Sequence, residues 1–366
     1  MERRPIKPWK RSFRSTSSAS GFSHSSTMSA RPQNGIAVLG LASKSFKPKT
    51  HIEQHMVLAS APGKLILLGE HAVVFGQPAI AVAINLRIRC RIEKSNEPTL
   101  NGMPIVEQAH PYVFRAVSDV WKGEPLAIQT DSDLPSGSGM GSSAAVTVSM
   151  LKALHGIMLD GAADKEISEE AFEVESAVQG RASPIDTSAS THGKGIFVDR
   201  MARENLLWYI KKDAREWYVH HCEVPPLNLV VGFTGINAPT GPLVAKVKRF
   251  VDHSRFATDV IEEIGSLTLE GRECLRRNDQ ERLGRLMTND HKLLAILGVS
   301  CKELDRLVKA SLPYSYGAKL TGAGGGGSMI ALTDEPSKVA EILRAKGAVP
   351  FIVEIGAEGA RVEPDE

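Results

Sequence analysis

Asp133-Leu-Pro-Ser-Gly-Ser-Gly-Met-Gly-Ser-Ser-Ala-Ala-Val-Thr-Val-Ser-Met-Leu151 decides the reading of this chain. Gly137, Gly139 and Gly141 alternate with small or flexible residues, two serines follow, and an apolar run at helical spacing comes next. The pattern is a glycine-rich loop entering a helix N-terminus, where unpaired N–H groups and the helix dipole favour an anion. Glycine lets the backbone approach a phosphate with no Cβ in the way. The hydroxyls of Ser142 and Ser143 can bond phosphate oxygens or a Mg2+ ion. Taken alone, the loop leaves a flexible connection as the alternative reading. It is not a P-loop, which ends in Gly-Lys-Ser/Thr, because it has no lysine. Nor is it a dinucleotide fingerprint: its spacing is G-x-G-x-G-S-S, and Glu169 and Glu170 fall too late and inside a helical pattern.

Two further segments extend the reading. One is Ala61-Pro-Gly-Lys-Leu-Ile-Leu-Leu-Gly-Glu-His-Ala-Val-Val-Phe-Gly-Gln-Pro-Ala-Ile80, the other Lys319-Leu-Thr-Gly-Ala-Gly-Gly-Gly-Gly-Ser-Met-Ile330. With the loop they resemble, in order and spacing, the three signature motifs of the superfamily of galactokinases, homoserine kinases, mevalonate kinases and phosphomevalonate kinases. The resemblance covers nearly all of the chain from Met56 onward. Gly69-Glu-His-Ala-Val-Val-Phe-Gly76 looks like the mevalonate kinase branch, and Val178-Gln-Gly-Arg-Ala-Ser-Pro-Ile-Asp-Thr187 like its archaeal members. The fold it implies is α+β and two-lobed: an N-terminal ribosomal-protein-S5-like lobe that binds ATP, a C-terminal ferredoxin-like lobe, and a cleft between them.

The resemblance also assigns roles. Pro135, Ser136, Gly137, Ser138, Gly139, Met140, Gly141, Ser142 and Ser143 form the ATP phosphate cradle. Lys64, by itself an ordinary surface lysine, moves to the reacting centre. Asp186, by itself a turn or N-cap residue, becomes the base or electrostatic partner of the acceptor hydroxyl. The family places a Mg2+-binding glutamate eleven residues before that aspartate, which is Glu175 here; Ser143 and Glu175 are the expected metal pair. His71 is directed toward mevalonate, with Glu70 beside it on substrate or orienting neighbouring groups. Gly322, Gly324 and Gly325 support the phosphate loop. Beside these assignments, His291 reads as structural with substrate lining as the alternative, and the loop 234–240, which follows a strand, is a candidate cleft wall. The implied reaction is ATP-dependent phosphorylation of mevalonate, with Mg2+ as cofactor. The rivals are another kinase of the superfamily and a nucleotide-binding regulator without turnover; retention of Lys64, Ser143, Glu175 and Asp186 argues against the regulator.

Composition narrows the class. The chain has 366 residues, 42% hydrophobic content and a net charge of +2, which offers no bulk electrostatic case for nucleic acid. No apolar run is long enough to span a membrane. Cys90, Cys222, Cys274 and Cys301 are far apart and form no C-x-x-C, as expected of a reduced cytoplasmic protein. Mevalonate and ATP are the expected partners, and association as a homodimer is left open. Residues 1–55 are basic at the start, then serine-rich, with Glu2 the only acid before Glu53. Such a segment cannot bury a core, and disorder is expected. It resembles a transit peptide in composition, but Met56-Val-Leu-Ala-Ser-Ala-Pro-Gly-Lys is how archaeal relatives typically begin, which favours an upstream mis-called start or a nonfunctional extension.

Periodicity places strands at 57–59, 65–68, 79–92 (with a basic outer face), 126–129, 193–199 and 206–210, and helices at 107–121, 143–159 and 165–179. After Pro225-Pro226 come a strand at 227–232, several helices between 243 and 311, strands at 318–320 and 329–333, a helix at 337–346 and a final strand at 349–355. That second series is a split βαβ order. The expected organisation is an extension at 1–55, an ATP-binding lobe at 56–225 and a ferredoxin-like lobe at 226–366.

Overall fold

The computed structural model describes residues 56–180, 182–212, 215–237 and 239–364; the expected disordered extension at 1–55 lies outside them. The described chain begins with β1 (Met56–Leu68), antiparallel to β2 (Ala79–Lys94). The two short strands expected at 57–59 and 65–68 are one. Pro62-Gly63 is absorbed where the register shifts between Pro62 and Lys64, the kind of irregularity at which a sheet accepts Pro and Gly. Then follow β3 (Thr99–Leu100), β4 (Met103–Pro104), α1 (Pro111–Val120), β5 (Leu126–Ser132), α2 (Ser142–Met158) and α3 (Asp164–Gln179). Helix α1 starts later than periodicity suggests because Pro111 takes its first position, which pushes the preceding residue out of helical geometry. A short helix that periodicity missed, α4 (Ile185–His192), precedes β6 (Gly195–Asp199), β7 (Leu206–Lys212) and β8 (Arg215–His221).

Among the described residues the first sheet has nine strands, in the order β4-β3-β5-β2-β6-β8-β7, with β1 also on β2. Strand β2 serves several neighbours along its length: Ala79 to Val82 pair with β6 and Ile88 to Lys94 with β5. Helix α2 lies against β1 and β2. It buries Ala144, Ala145, Val148, Leu151 and Leu154, which is why its apolar positions run nearly all round.

The second series is β9 (Leu229–Phe233), α5 (Thr240–His253), α6 (Arg255–Arg277), α7 (Gln280–Ile296), α8 (Lys302–Ser311), β10 (Gly317–Thr321), β11 (Ser328–Leu332), α9 (Pro336–Ala345) and β12 (Val349–Val353). Its sheet runs β10-β11-β9-β12, all antiparallel, which is the ferredoxin-like order. The α+β class expected from the sequence is the one observed.

The C-terminal segment returns to the first sheet. Ile355 bridges Ile84, Glu358 bridges Gly193, and β13 (Arg361–Val362) pairs with β1. Arg87, expected on a solvated basic face, is instead buried and holds this segment. Its guanidinium donates to the carbonyls of Glu358 and Gly359, both at 2.8 Å, and to Ser60 Oγ at 2.8 Å. Replacing Arg87 by Leu removes the donor that these three acceptors share, a loss of about 3 kcal/mol. The expected outcome is a clearly lower midpoint in urea or thermal unfolding; a midpoint equal to wild type would show that the segment is held by β13 pairing alone.

Candidate active site

The glycine-rich loop delivers the chain to α2 through left-handed backbone at Gly137, Gly139 and Gly141. Gly141 is the N-cap, with φ of 79° and no side-chain cap on the helix. A residue with a Cβ is strained in that conformation, and no serine or aspartate covers the first N–H groups of α2. Those groups stay open to an anion at the end of a 17-residue helix. Gly137, Gly139, Gly141, Ser142 and Ser143 line a cleft of about 150 Å³. Pro135 is half-buried and Ser136 exposed on the outer side of the loop, while Ser138 and Met140 are buried beneath it.

The loop between β10 and β11 packs under the first loop, backbone on backbone. A Cβ on Gly322 would lie 3.1 Å from the carbonyl oxygen of Gly139, and one on Gly139 would lie 3.0 Å from that of Thr321. Gly322 and Gly324 line the cleft. Gly325 does not; its N–H donates to Val299 O at 2.7 Å and anchors the loop from behind.

Lys64 sits where β1 is irregular. Its N–H donates to Met140 O at 2.9 Å, and its stem runs beneath Gly141, so closely that a Cβ there would meet Lys64 Cγ at 2.8 Å. The side chain is 2% exposed and its Nζ lies 2.9 Å from Asp186 Oδ1. Asp186 occupies the first turn of α4, where a helix N-terminus favours a carboxylate. This is a helical position, not the turn or N-cap that its neighbours in sequence suggest.

Glu175, on the buried face of α3, is 4% exposed. Its Oε1 accepts from Gln179 Nε2 at 2.9 Å, and Gln179 also donates to the Tyr112 hydroxyl at 3.1 Å. Oε2 is buried without a partner. Burial, and secondarily the charge of Asp186, push the Glu175 carboxyl up to about 8 against the attraction of Lys64. Among the described residues, no group of three or more His, Cys, Asp or Glu side chains is placed to hold a metal. One orphaned carboxylate oxygen and a serine hydroxyl on the same cleft suit an ion that takes few protein ligands and completes its shell with phosphate and water, as Mg2+ does.

On the opposite wall, the turn after β1 forces His71 to φ of 58°, ahead of a single 3-10 turn at Ala72–Phe75. His71 Nε2 lies 2.9 Å from Ala323 O, and burial holds the imidazole down to about 4, so it is neutral near pH 7. Nε2–H is then the donor, and Nδ1 is an acceptor without a partner. Glu70 also borders the cleft, but its carboxylate is buried and held by Lys319. Thr240, from the loop expected to form a cleft wall, does line it, beside Val244 of α5. His291 accepts from Leu320 N at 3.3 Å and reaches Asp305 at 3.2 Å, a structural position. Periodicity did not single out Gln179, Thr321 or Ala323. Gln179 carries a usable signal, four residues after Glu175 on one helix face; the other two are placed by the second sheet.

Residues 106–194 match the family described as GHMP kinases N terminal domain, and residues 272–348 match the one described as GHMP kinases C terminal. The chain is 34% identical over 344 residues to the mevalonate kinase of Pyrococcus furiosus, a match covering 84% of this chain and 98% of that one. It is 36% identical over 317 residues to the mevalonate kinase of Archaeoglobus fulgidus, covering 84% and 100%. Among solved structures, the L. major mevalonate kinase in complex with R-mevalonate superposes with a TM-score of 0.68 at 27% identity, covering 82% of this chain and 96% of that one. The Methanococcus jannaschii mevalonate kinase gives 0.67 at 26%, covering 81% and 98%.

The Glu175 environment has a signature in stability. Its folded-state pKa stands above the unfolded value, so its stabilising contribution is complete below about 4.5 and is lost as pH rises toward 8. Glu175→Gln removes that loss. In nucleotide-free protein, the difference in thermal midpoint between Glu175→Gln and wild type should therefore shift in favour of the variant between pH 5.5 and 8.5. A difference that stays constant with pH would mean that Glu175 is solvated and ordinary.

Proposed function

The chain belongs to the mevalonate kinase family, and we propose that its cleft divides the transfer of phosphate from ATP to mevalonate between the open N-terminus of α2 and the Lys64–Asp186 pair. The enzyme phosphorylates mevalonate in isoprenoid precursor synthesis, so the acceptor is a primary alcohol and the product is 5-phosphomevalonate. In-line transfer needs neutralised phosphate charge and an oriented hydroxyl, and little covalent chemistry from the protein.

On this reading residues 56–225 form the ATP-binding lobe and 226–366 the C-terminal lobe. The phosphates rest on the loop 135–143, with backbone N–H groups and the hydroxyls of Ser142 and Ser143 as donors. Ser143 and Glu175 would hold Mg2+, which supplies charge neutralisation of the phosphates when bound. Gly322 and Gly324 keep the cradle in shape. Asp186 accepts the proton of the 5-hydroxyl; a carboxylate is a weak base for an alcohol, so removal is concerted with attack on phosphorus. Lys64 pairs with Asp186 and stabilises the charge that develops on the transferring oxygens. His71 offers Nδ1 to a hydroxyl of mevalonate. Compartment is read from the cysteines: the four are free thiols, three of them buried, which suits the cytoplasm.

The observation that carries this reading is the 2.9 Å contact between Lys64 and Asp186 on the cleft formed by the uncapped start of α2. A coupled assay of ADP release should show turnover only when mevalonate accompanies Mg-ATP. Turnover with phosphomevalonate or homoserine in place of mevalonate would keep the site and replace the acceptor. Asp186→Ala should lower kcat by about 100-fold or more in a protein that still unfolds cooperatively. A folded Asp186→Ala enzyme with near wild-type turnover would remove Asp186 from the mechanism.

A further inference from the structure

Behind the His71 wall lies a second group of charges that the phosphoryl-transfer chemistry does not use. Lys319 is fully buried on β10, Asp290 fully buried on α7, and Glu70 is 1% exposed. Lys319 Nζ donates to Glu70 Oε1 and, at 2.8 Å, to Leu320 O, and it lies 3.3 Å from Asp290 Oδ2. Two carboxyl groups therefore share one buried cation. Burial raises the pKa of both, Glu70 to about 8, so one of the two keeps a proton near neutrality.

The cluster sits at a mechanical junction. β10 is an edge strand whose outer side is covered by α7 and not by another strand. Three nearby α7 side chains meet three successive residues of β10: Thr288 Oγ1 accepts from Ala318 N at 3.2 Å, Asp290 faces Lys319, and His291 accepts from Leu320 N. From Lys319 the tie continues to Glu70, and the next residue is His71. Four residues beyond Lys319, Ala323 O receives the His71 ring. The Glu70–His71 turn is thus gripped twice by one segment of the second sheet, through its carboxylate and through its imidazole. His71 holds left-handed backbone, which is unfavourable for a non-glycine residue unless its surroundings impose it.

We infer that Glu70, Lys319 and Asp290 are positioning residues for the acceptor: together they lock the turn that aims His71 Nδ1 into the cleft. They touch neither the phosphates nor the reacting oxygen. The inference rests on the reading that His71 contacts mevalonate. The cation is the centre of the device, because it contacts both the turn and the helix that fixes the strand. Its loss leaves two carboxyl groups facing each other and frees the turn.

The test combines kinetics with a direct report on the ring. Lys319→Met should raise KM for mevalonate at least tenfold while KM for ATP stays within twofold and kcat falls less than KM rises. Glu70→Gln keeps the shape of the side chain and weakens its bond to Lys319; it should shift the same parameter in the same direction by threefold or more, and it stands in if Lys319→Met does not fold cooperatively. His71→Ala supplies the reference, and it assigns the His71 signals in imidazole 15N spectra of the full-length protein. In either cluster variant those signals should lose the pattern of one protonated and one free ring nitrogen fixed by Ala323. In a double-mutant cycle, adding the cluster mutation to His71→Ala should have little further effect on KM for mevalonate. If His71→Ala leaves KM for mevalonate unchanged, the reading of His71 is wrong and the positioning role falls with it. If His71→Ala raises KM but folded Lys319→Met and Glu70→Gln enzymes keep wild-type KM and wild-type His71 spectra, the cluster is structural only and the inference is overturned.

Discussion

The contact of one glycine loop with another carries the rest of this structure. The loops lie so close that a Cβ on Gly322 would crowd the carbonyl of Gly139, and one on Gly139 the carbonyl of Thr321. One loop belongs to the start of α2 on the first sheet, the other to the turn between β10 and β11 on the second. Their approach forms the floor of the cleft and favours glycine on both sides, because both positions hold left-handed backbone and a Cβ at either would crowd the facing carbonyl. Lys64 depends on the same closeness. Its stem passes beneath Gly141 and emerges at Asp186, so the pair proposed to act on the acceptor is positioned by backbone geometry.

Charge is the second constraint. The cleft and its surroundings bury more carboxyl groups than cations. Glu175, Asp186, Glu70 and Asp290 share Lys64 and Lys319. A buried carboxylate without a counter-charge is costly, and the protein meets that cost in part by protonation. Some groups retain a proton, as Glu175 and one of the Glu70–Asp290 pair do near neutral pH. Glu175 also has an oxygen, Oε2, buried without a partner, which an incoming cation that displaced the proton would complete. The Glu175 side of the cleft opens onto the space proposed for the phosphates, whereas the cluster behind His71 gathers its two carboxyl groups around Lys319.

Much of this was legible in the sequence. The order of Pro-Gly-Lys strand, glycine loop, helix and second glycine loop resembled a phosphate-transferring family, and alternation and periodicity located most strands and helices to within a few residues. The failures have local causes. Pro62-Gly63 reads as a break but is taken up as a strand irregularity. Arg87 alternates as though on a solvent face, yet the C-terminal segment folds over it and supplies carbonyl acceptors. Asp186 follows a Ser-Pro-Ile turn signal but lies inside a helix too short for periodicity to reveal.

What the sequence determined by itself was the inventory: two glycine runs that can only be loops, a helix whose N-terminus has no capping side chain, and one lysine and two carboxylates at family spacing. These are properties of residue type and of neighbours along the chain, so they can be read in one dimension. Tertiary structure decided the pairings. Lys64 and Asp186 are 122 residues apart and meet at 2.9 Å, and Lys319 draws on Glu70 from the first sheet and Asp290 from a helix of the second. Which charge is neutralised, which carboxyl keeps its proton and which ring nitrogen faces the cleft all depend on such meetings, because electrostatic energy is set by distance in space and by burial, and neither is written in the order of residues.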